Sequence, residues 1–136
     1  MKVKEIMADQ TISFIHENNT ICEAAEKMKE MDVGDLPVLL ENKAVGFITD
    51  RDIVVRIVAK GLDPSRTKVS DGMSDIIFAC SEEDTVQHAG KLMAENKIRR
   101  LVVVDSEKKM SGILSLEDLA AKADKSLAGE VLERYA

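Results

Sequence analysis

The chain is a duplication. Val3 and Val69, Met7 and Met73, Gly46 and Gly112, Thr49 and Ser115, and Asp52 and Asp118 stand 66 residues apart. Thr20 and Thr85, Ala24 and Ala89, Met28 and Met93, and Leu36 and Leu101 stand 65 apart. A period of this size is one supersecondary unit made twice, which restricts the fold to two similar halves that complete each other's core. The halves are residues 1–63 and 68–125, joined at residues 64–67. Residues 126–136 fall outside the repeat and read as a short amphipathic helical tail, with Leu127, Val131 and Leu132 apolar.

Within each half the hydrophobic period switches in the same order. Ile12 to Ile15 reads as a short strand, and Thr20 followed by Glu23 is the signature of a capped helix start. Ile21, Ala24, Ala25, Met28 and Met31 then recur at helical spacing, with Gly34 as the stop signal. Leu36–Leu40 and Ala44–Ile48 are strand-like runs either side of the turn-prone Glu41-Asn42-Lys43. A helix over Asp50–Lys60 closes the unit at Gly61. The second half repeats the order with Ile76–Cys80, Thr85–Asn96, Arg100–Val104, Met110–Leu114 and Leu116–Lys122. Each copy is therefore β-α-β-β-α, and the expected class is α/β (α+β). About 60 residues bury too little surface alone, so the two sheets are expected to pack together about a pseudo-twofold axis.

Composition removes several function classes. With 136 residues, 45% of them hydrophobic, the chain is long enough for a core without staples. A net charge of -6, three Phe, one Tyr and no Trp argue against a nucleic-acid surface. No apolar run approaches the roughly 18 residues of a membrane span. The opening Met1-Lys2-Val3-Lys4-Glu5 lacks a secretory pattern, and two cysteines make no disulfide framework, so a cytoplasmic location is expected. His16, Cys22, Cys80 and His88 have no ligand spacing, and no metal site is expected. Neither an activated nucleophile, a general-base constellation nor a P-loop is present in the pattern, so the chain is not expected to be an enzyme or to require a cofactor.

Chemistry concentrates in one motif made twice, Gly46-Phe47-Ile48-Thr49-Asp50-Arg51-Asp52 and Gly112-Ile113-Leu114-Ser115-Leu116-Glu117-Asp118. Two readings stand side by side. A hydroxyl followed three residues later by an acid is a capping box that needs no ligand. However, that box prefers the longer arm of Glu or Gln, and both copies carry Asp. A glycine three residues before the hydroxyl leaves room for a flat ligand against the strand. An Asp on the first helical turn can accept from both hydroxyls of a ribose, as an acid does in dinucleotide-binding folds, while the hydroxyl donates to a phosphate. The copies are not equivalent: the first motif carries Arg51, whereas the second carries Leu116 and has no basic residue, and Arg100 is the repeat mate of Asp35. Arg99 and Arg100 point to opposite faces of a strand, and Arg100 is the better candidate for the site.

Together these residues resemble tandem CBS-domain proteins, also called Bateman modules, of the small stand-alone bacterial type. The resemblance runs from Val3 to about Ala123 and rests on Met7 and Met73, Gly-Asp-Leu-Pro-Val at 34–38, Thr-Asp-Arg-Asp-Ile at 49–53, Lys-Ile-Arg-Arg-Leu at 97–101 and Gly-Ile-Leu-Ser-Leu-Glu-Asp-Leu at 112–119. It implies a disc with two clefts, each able to take an adenosine compound such as AMP, ADP, ATP, S-adenosylmethionine or NAD as a regulatory ligand. Asp52 and Asp118 would be the ribose ligands, with Thr49 and Ser115 serving ribose or phosphate, and Arg51 and Arg100 near the phosphates. Ile12, Pro37, Ile77 and Leu101 would border the adenine. Regulation would act in trans, through a homodimer or an unidentified effector protein. The helices carrying Ile53, Ile57 and Leu119 would form the dimer surface. The alternative is a non-catalytic dimeric interaction protein with empty clefts.

Overall fold

A computed structural model describes residues 1–9 and 13–135. Its elements follow in chain order. A 3-10 turn, Val3–Glu5, precedes β1 (Ala8–Asp9), β2 (Ile15–His16), α1 (Ile21–Met31), β3 (Asp35–Leu40) and β4 (Lys43–Thr49). The helix α2 (Asp50–Asp52) continues directly as a π-helix, Ile53–Val58. A second 3-10 turn, Val69–Asp71, leads to β5 (Ala79–Ser81), α3 (Val86–Asn96), β6 (Arg100–Val104), β7 (Met110–Ser115), α4 (Leu116–Lys122) and α5 (Lys125–Tyr135). The mixed α/β class and the doubled β-α-β-β-α order agree with the sequence pattern. No described helix is long and apolar enough to cross a membrane.

The chain divides into two compact units whose limits differ from those of the sequence repeats. One is the continuous segment Ser13–Ile77, and the other joins Met1–Ile12 to Phe78–Ala136. Backbone hydrogen bonding explains the offset. Val3 N donates to Asp84 O, Lys4 N to Glu82 O and Val86 N to Met1 O. Sixty-odd residues on, Val69 N donates to Asn19 O, Ser70 N to Glu17 O and Ile21 N to Thr67 O. The opening segment of each repeat is thus tied to the first helix of the other repeat, through equivalent bonds. Val3 and Val69, both fully buried, anchor these segments in the two cores.

In the continuous unit the sheet order is β2-β3-β4, with β2 parallel and β4 antiparallel to β3. Its core gathers Ile21, Ala24 and Met28 of α1, Leu36 and Val38 of β3, Ile48 of β4, and Ile57. In the other unit the order is β1-β7-β6-β5, and Val86, Ala89 and Met93 of α3 pack on Leu101, Val103, Leu114 and Leu119. The added strand β1 pairs antiparallel with β7, Ala8 opposite Ile113. Its counterpart in the continuous unit is a single bridge between Phe47 and Ser74.

Helix ends follow local chemistry. Thr20 accepts from the Glu23 amide while Glu23 reaches back to the Thr20 amide, and Thr85 accepts from the His88 amide. Helix α1 ends on Asp32 in the left-handed conformation, φ 54°, and α3 on its repeat mate Lys97, also φ 54°. Gly34 is therefore not the stop of α1. It lies where a side chain would meet Asp50, its carbonyl accepting from the Asp50 amide at 2.9 Å. The helix expected over Asp50–Lys60 is α-helical only at its start. Five of the six residues of Ile53–Val58 are β-branched, which crowds the preceding turn and favours the wider π spiral. Gly61, φ 71°, ends it.

The C-terminal helix α5 is a packed element. Ala128 and Val131 are buried in the core with α3 and α4, and Leu127 lies over Gly90, where a Cβ would stand 2.7 Å from Leu127 Cδ1. Leu132, expected on the apolar face, is exposed.

Candidate functional site

Each motif begins where the last strand of a hairpin meets the following helix. In the continuous unit, Thr49 Oγ1 accepts from the Asp52 amide at 3.0 Å, and Asp52 Oδ2 accepts from the Thr49 amide at 3.0 Å. In the other unit, Ser115 Oγ accepts from the Asp118 amide at 3.1 Å and Asp118 Oδ2 from the Ser115 amide at 3.0 Å. Both capping boxes are closed. The shorter Asp arm spans the gap that the sequence reading reserved for Glu or Gln. Aspartate at the third position therefore does not by itself speak against a cap.

The box uses one carboxylate oxygen and leaves the other outside it. Asp52 Oδ1 lies 3.6 Å from Arg56 Nε, and Asp118 Oδ1 lies 3.7 Å from Lys122 Nζ. Both distances exceed hydrogen-bond length, so these are charge contacts that leave the oxygen lone pairs uncommitted. The carboxylates are largely covered, with side-chain exposures of 16% and 17%. Ser115 is buried, and Thr49 half-buried.

Strand register sets what stands beside each hydroxyl. Asp35 is paired with Thr49 across β3 and β4, and Arg100 with Ser115 across β6 and β7. Directly opposed residues of an antiparallel pair share a sheet face. The two motifs therefore carry side chains of opposite sign at the equivalent place, a negative one beside Thr49 and a positive one beside Ser115. Arg100 is half-buried; Arg99 and Arg51 are exposed.

The motif glycines do a different job from the one expected. The Phe47 amide donates to Ser74 O at 2.9 Å, the Ser74 amide donates to Phe47 O at 2.8 Å, and a Cβ on Gly46 would collide with that Ser74 carbonyl. A Cβ on Gly112 would lie 2.5 Å from Ala8 O and 2.9 Å from Met7 Sδ. The space beside each glycine is filled by the protein's own crossing segment, not left for a flat ligand. Glycine is required there because a backbone passes too close for any side chain.

Of the apolar residues expected to border a ligand, Ile77 is half-buried and Pro37 buried. Leu101 requires correction. It is fully buried in its unit's core with α3 and α4, on the opposite strand face from Arg100. The repeat mate of Pro37 is Val102, 65 residues on, and the mate of Leu101 is the core residue Leu36. Val102 is buried and lies on the Arg100 face of β6. The repeat offset alone could have found it. Ile12 lies outside the described residues.

The helix candidates for a dimer surface also need correction. Ile57 and Leu119 are fully buried core side chains, and Ile53 packs against the core. Val54, Val55 and Val58, on the other side of the same helix, are 58%, 46% and 60% exposed, and Leu62 beyond it is 45% exposed.

Among the described residues no group of three His, Cys, Asp or Glu side chains is arranged to hold a metal ion. Cys80 is buried, and loss of solvent pushes its thiol up to about 12. A groove of about 540 Å³ between α3 and α5, lined by Gly90, Lys91, Leu127 and Glu130 among others, includes no residue of either motif.

The CBS domain family matches the chain twice, over residues 3–59 and 68–125. The CBS domain-containing protein YhcV of Bacillus subtilis is 40% identical over 118 residues, covering 87% of this chain and 82% of that protein. Among solved structures, CBSX2 in complex with AMP has a TM-score of 0.76 and 26% identity, covering 90% of this chain and 95% of that one. The CBS domain pair of MJ0100, in complex with 5-methylthioadenosine and S-adenosyl-L-methionine, has a TM-score of 0.73 and 27% identity, covering 88% of this chain and 93% of that one.

Proposed function

The chain belongs to the CBS domain family, and we propose that its two repeats make it a regulatory module that takes up an adenosine nucleotide and acts in trans. The observation that carries this reading is the doubled hydroxyl and carboxylate pair. Each Asp keeps Oδ1 outside the capping box, largely covered and positioned by a cation, which suits it to accept from a ribose hydroxyl. The adenosine ligands of CBSX2 and MJ0100 support the same class of ligand here.

The sign of the neighbouring charge gives each motif a preference. Arg100 beside Ser115 favours an anionic tail such as the phosphates of AMP, ADP or ATP, or the pyrophosphate of NAD. Asp35 beside Thr49 disfavours phosphate and suits a ligand without it, or one carrying positive charge such as S-adenosylmethionine. Arg51, exposed at the start of α2, is the one cation within the first motif and would be drawn on only if that motif took a phosphate despite Asp35. Pro37, Ile77 and Val102 supply apolar contact.

A cytoplasmic homodimer fits the remaining surface. The Val54, Val55, Val58 and Leu62 cluster is the apolar face such a dimer needs, replacing the face carrying Ile53, Ile57 and Leu119. An effector protein would then read the ligand-dependent state. The closed capping boxes favour a second reading, a dimeric interaction protein whose motifs serve only as helix caps.

Thermal unfolding against AMP, ADP, ATP, S-adenosylmethionine and NAD separates the two. A ligand at 100 times its dissociation constant adds about 2.7 kcal/mol, a rise in midpoint on the order of 10 °C at this size. Asp52→Ala or Asp118→Ala should remove the rise for the motif that is occupied. No rise with any compound, and only a small loss of stability in the double variant, would leave the capping reading.

A further inference from the structure

Two cations hold the motif carboxylates and the crossing segments at the same time. Arg56, four residues after Asp52, sets Nε 3.6 Å from Asp52 Oδ1 and donates from Nη1 to the Met73 carbonyl at 3.0 Å. Lys122, four residues after Asp118, sets Nζ 3.7 Å from Asp118 Oδ1 and donates to the Ile6 carbonyl at 3.5 Å. Arg56 and Lys122 are themselves 66 residues apart. One lies in a π-helix and the other ends an α-helix, and one is a guanidinium and the other an ammonium, yet each reaches its motif carboxylate and a carbonyl of its crossing segment, Met73 in one case and Ile6, one residue before the repeat mate of Met73, in the other. An exposed pair at this spacing contributes little stability by itself. What sets these apart is the third partner, a backbone carbonyl in the segment that passes over the motif glycine.

We propose that Arg56 and Lys122 are positioning residues that couple occupancy of each motif to the hold on its crossing segment. This rests on the nucleotide reading of the motifs. The cation fixes Oδ1 in direction without using its lone pairs, so the oxygen is preset to accept a ribose hydroxyl. With its other donor Arg56 holds the Met73 carbonyl at 3.0 Å, while Lys122 reaches the Ile6 carbonyl more loosely at 3.5 Å. Met73 lies four residues before Ile77, where the continuous unit ends, and Ile6 lies in the opening segment that belongs to the other unit. Ligand and segment thereby share one side chain, and coupling of this kind is reciprocal: what tightens the segment tightens the ligand, and what frees one weakens the other.

The test uses the full chain with Arg56→Gln, Arg56→Lys, Lys122→Gln and Lys122→Arg. Amide hydrogen exchange at Phe47 and Ser74, and at Ile113 and Ala8, reads the segments. Titration with AMP and with S-adenosylmethionine reads the motifs, and Asp52→Ala and Asp118→Ala tell which motif each ligand occupies. The Gln variant at the occupied motif should weaken binding about tenfold and speed exchange of the crossing-segment amides by a similar factor. The conservative variant, Lys or Arg, should restore most of both. Added ligand should slow the same amides in the wild type and do so less in the Gln variant. The proposal is overturned if the wild type binds and the Gln variant moves neither readout, or moves exchange without affinity. A wild type that binds no adenosine compound overturns the nucleotide reading itself, and this coupling with it; faster exchange in Arg56→Gln would then report only a structural clamp.

Discussion

Gly112 lies so close beneath Ala8 that a methyl group on it would stand 2.5 Å from the Ala8 carbonyl oxygen. Gly46 stands in the same relation to Ser74. The obstacle in each case is backbone held in a strand pairing, which cannot swing aside as a side chain would. Gly46→Ala and Gly112→Ala should therefore each cost about 1–3 kcal/mol. Gly129, in α5 with nothing within 4 Å of a built Cβ, is the control. Gly129→Ala should stabilise by about 0.8–1.0 kcal/mol. Denaturant unfolding of the three variants checks the contrast in sign.

Ser115→Ala and Thr49→Ala each remove one side of a closed box. A lost N-cap of this kind costs about 0.5–2 kcal/mol. Ser115 is buried and Thr49 only half-buried, so the larger loss is expected at Ser115. Equal losses at the two positions would contradict the link to burial. Thermal melts without ligand measure this cost separately from any effect on binding.

Glu83 receives both Lys2 Nζ, at 2.6 Å, and Lys4 Nζ, at 2.7 Å, tying the opening segment to the second repeat. Hydrogen bonds from these two ammonium groups lower the Glu83 carboxyl from 4.5 to about 2. A carboxyl lowered on folding contributes above its unfolded value, and that contribution fades as pH falls from about 4.5 towards 2. Lys4 is raised by the same bond, so its share is present below 10.5 and fades as pH rises past it. Glu83→Gln should lower stability at neutral pH and flatten the acid limb between pH 5 and pH 2 by the same amount, a small one because all three groups are solvent-exposed, so that the two profiles meet near pH 2. An unaltered acid limb would show that these ion pairs add nothing to the hold supplied by Val3, Ile6 and the backbone hydrogen bonds.

Cys80 and Cys22 should separate under alkylation. A thiol raised to about 12 and buried carries almost no thiolate at pH 8, whereas Cys22 is half-buried at the start of α1. Iodoacetamide should label one cysteine in the native protein and both in denaturant, as read by intact mass and peptide mapping. Native labelling at Cys80 would mean that the core it shares with α3 and β6 opens readily.

Val54→Asp and Val58→Asp test the proposed dimer. These side chains are more than half exposed, so monomer stability should change by no more than about 0.5 kcal/mol. Sedimentation velocity should show the wild type as a dimer and the variants as monomers. A wild-type monomer removes the homodimer from the proposed function.

The repeat, the element order and all four hydroxyl caps, Thr20, Thr49, Thr85 and Ser115, were legible in the sequence because each is a local pattern. Turn chemistry was also legible: Glu41 and Asn42 both adopt positive φ, 50° and 68°, as a tight hairpin turn requires. Pairings set by distant parts of the chain were not. The purpose of Gly46 and Gly112 depends on a segment more than 20 residues away in one case and about 100 in the other. Leu101 and Val102 differ only in which strand face they occupy, and a one-residue shift in the repeat offset exchanges the two assignments. The same limit applies to the π-helix after α2, where apolar residues on both sides hid which side is core: Ile53 and Ile57 turn inward, Val54 and Val58 outward. The closure of both Asp boxes shows that a preference for Glu or Gln is a statement about frequency, not about reach.

The continuous unit, Ser13–Ile77, sits within the sequence between the two parts of the other. During synthesis its residues are complete as soon as Ile77 has left the ribosome. Residues 3–9 emerge before that unit but find their hydrogen-bond partners, Glu82 and Asp84, and their strand partners on β7, only after it. Val3 and Ile6 must therefore wait, unsheltered, through the translation of roughly 100 further residues, at about 5–20 residues per second. The nested order lets one unit be complete in sequence before the other, and it leaves the apolar side chains around the Val3–Glu5 turn without their core partners in the meantime.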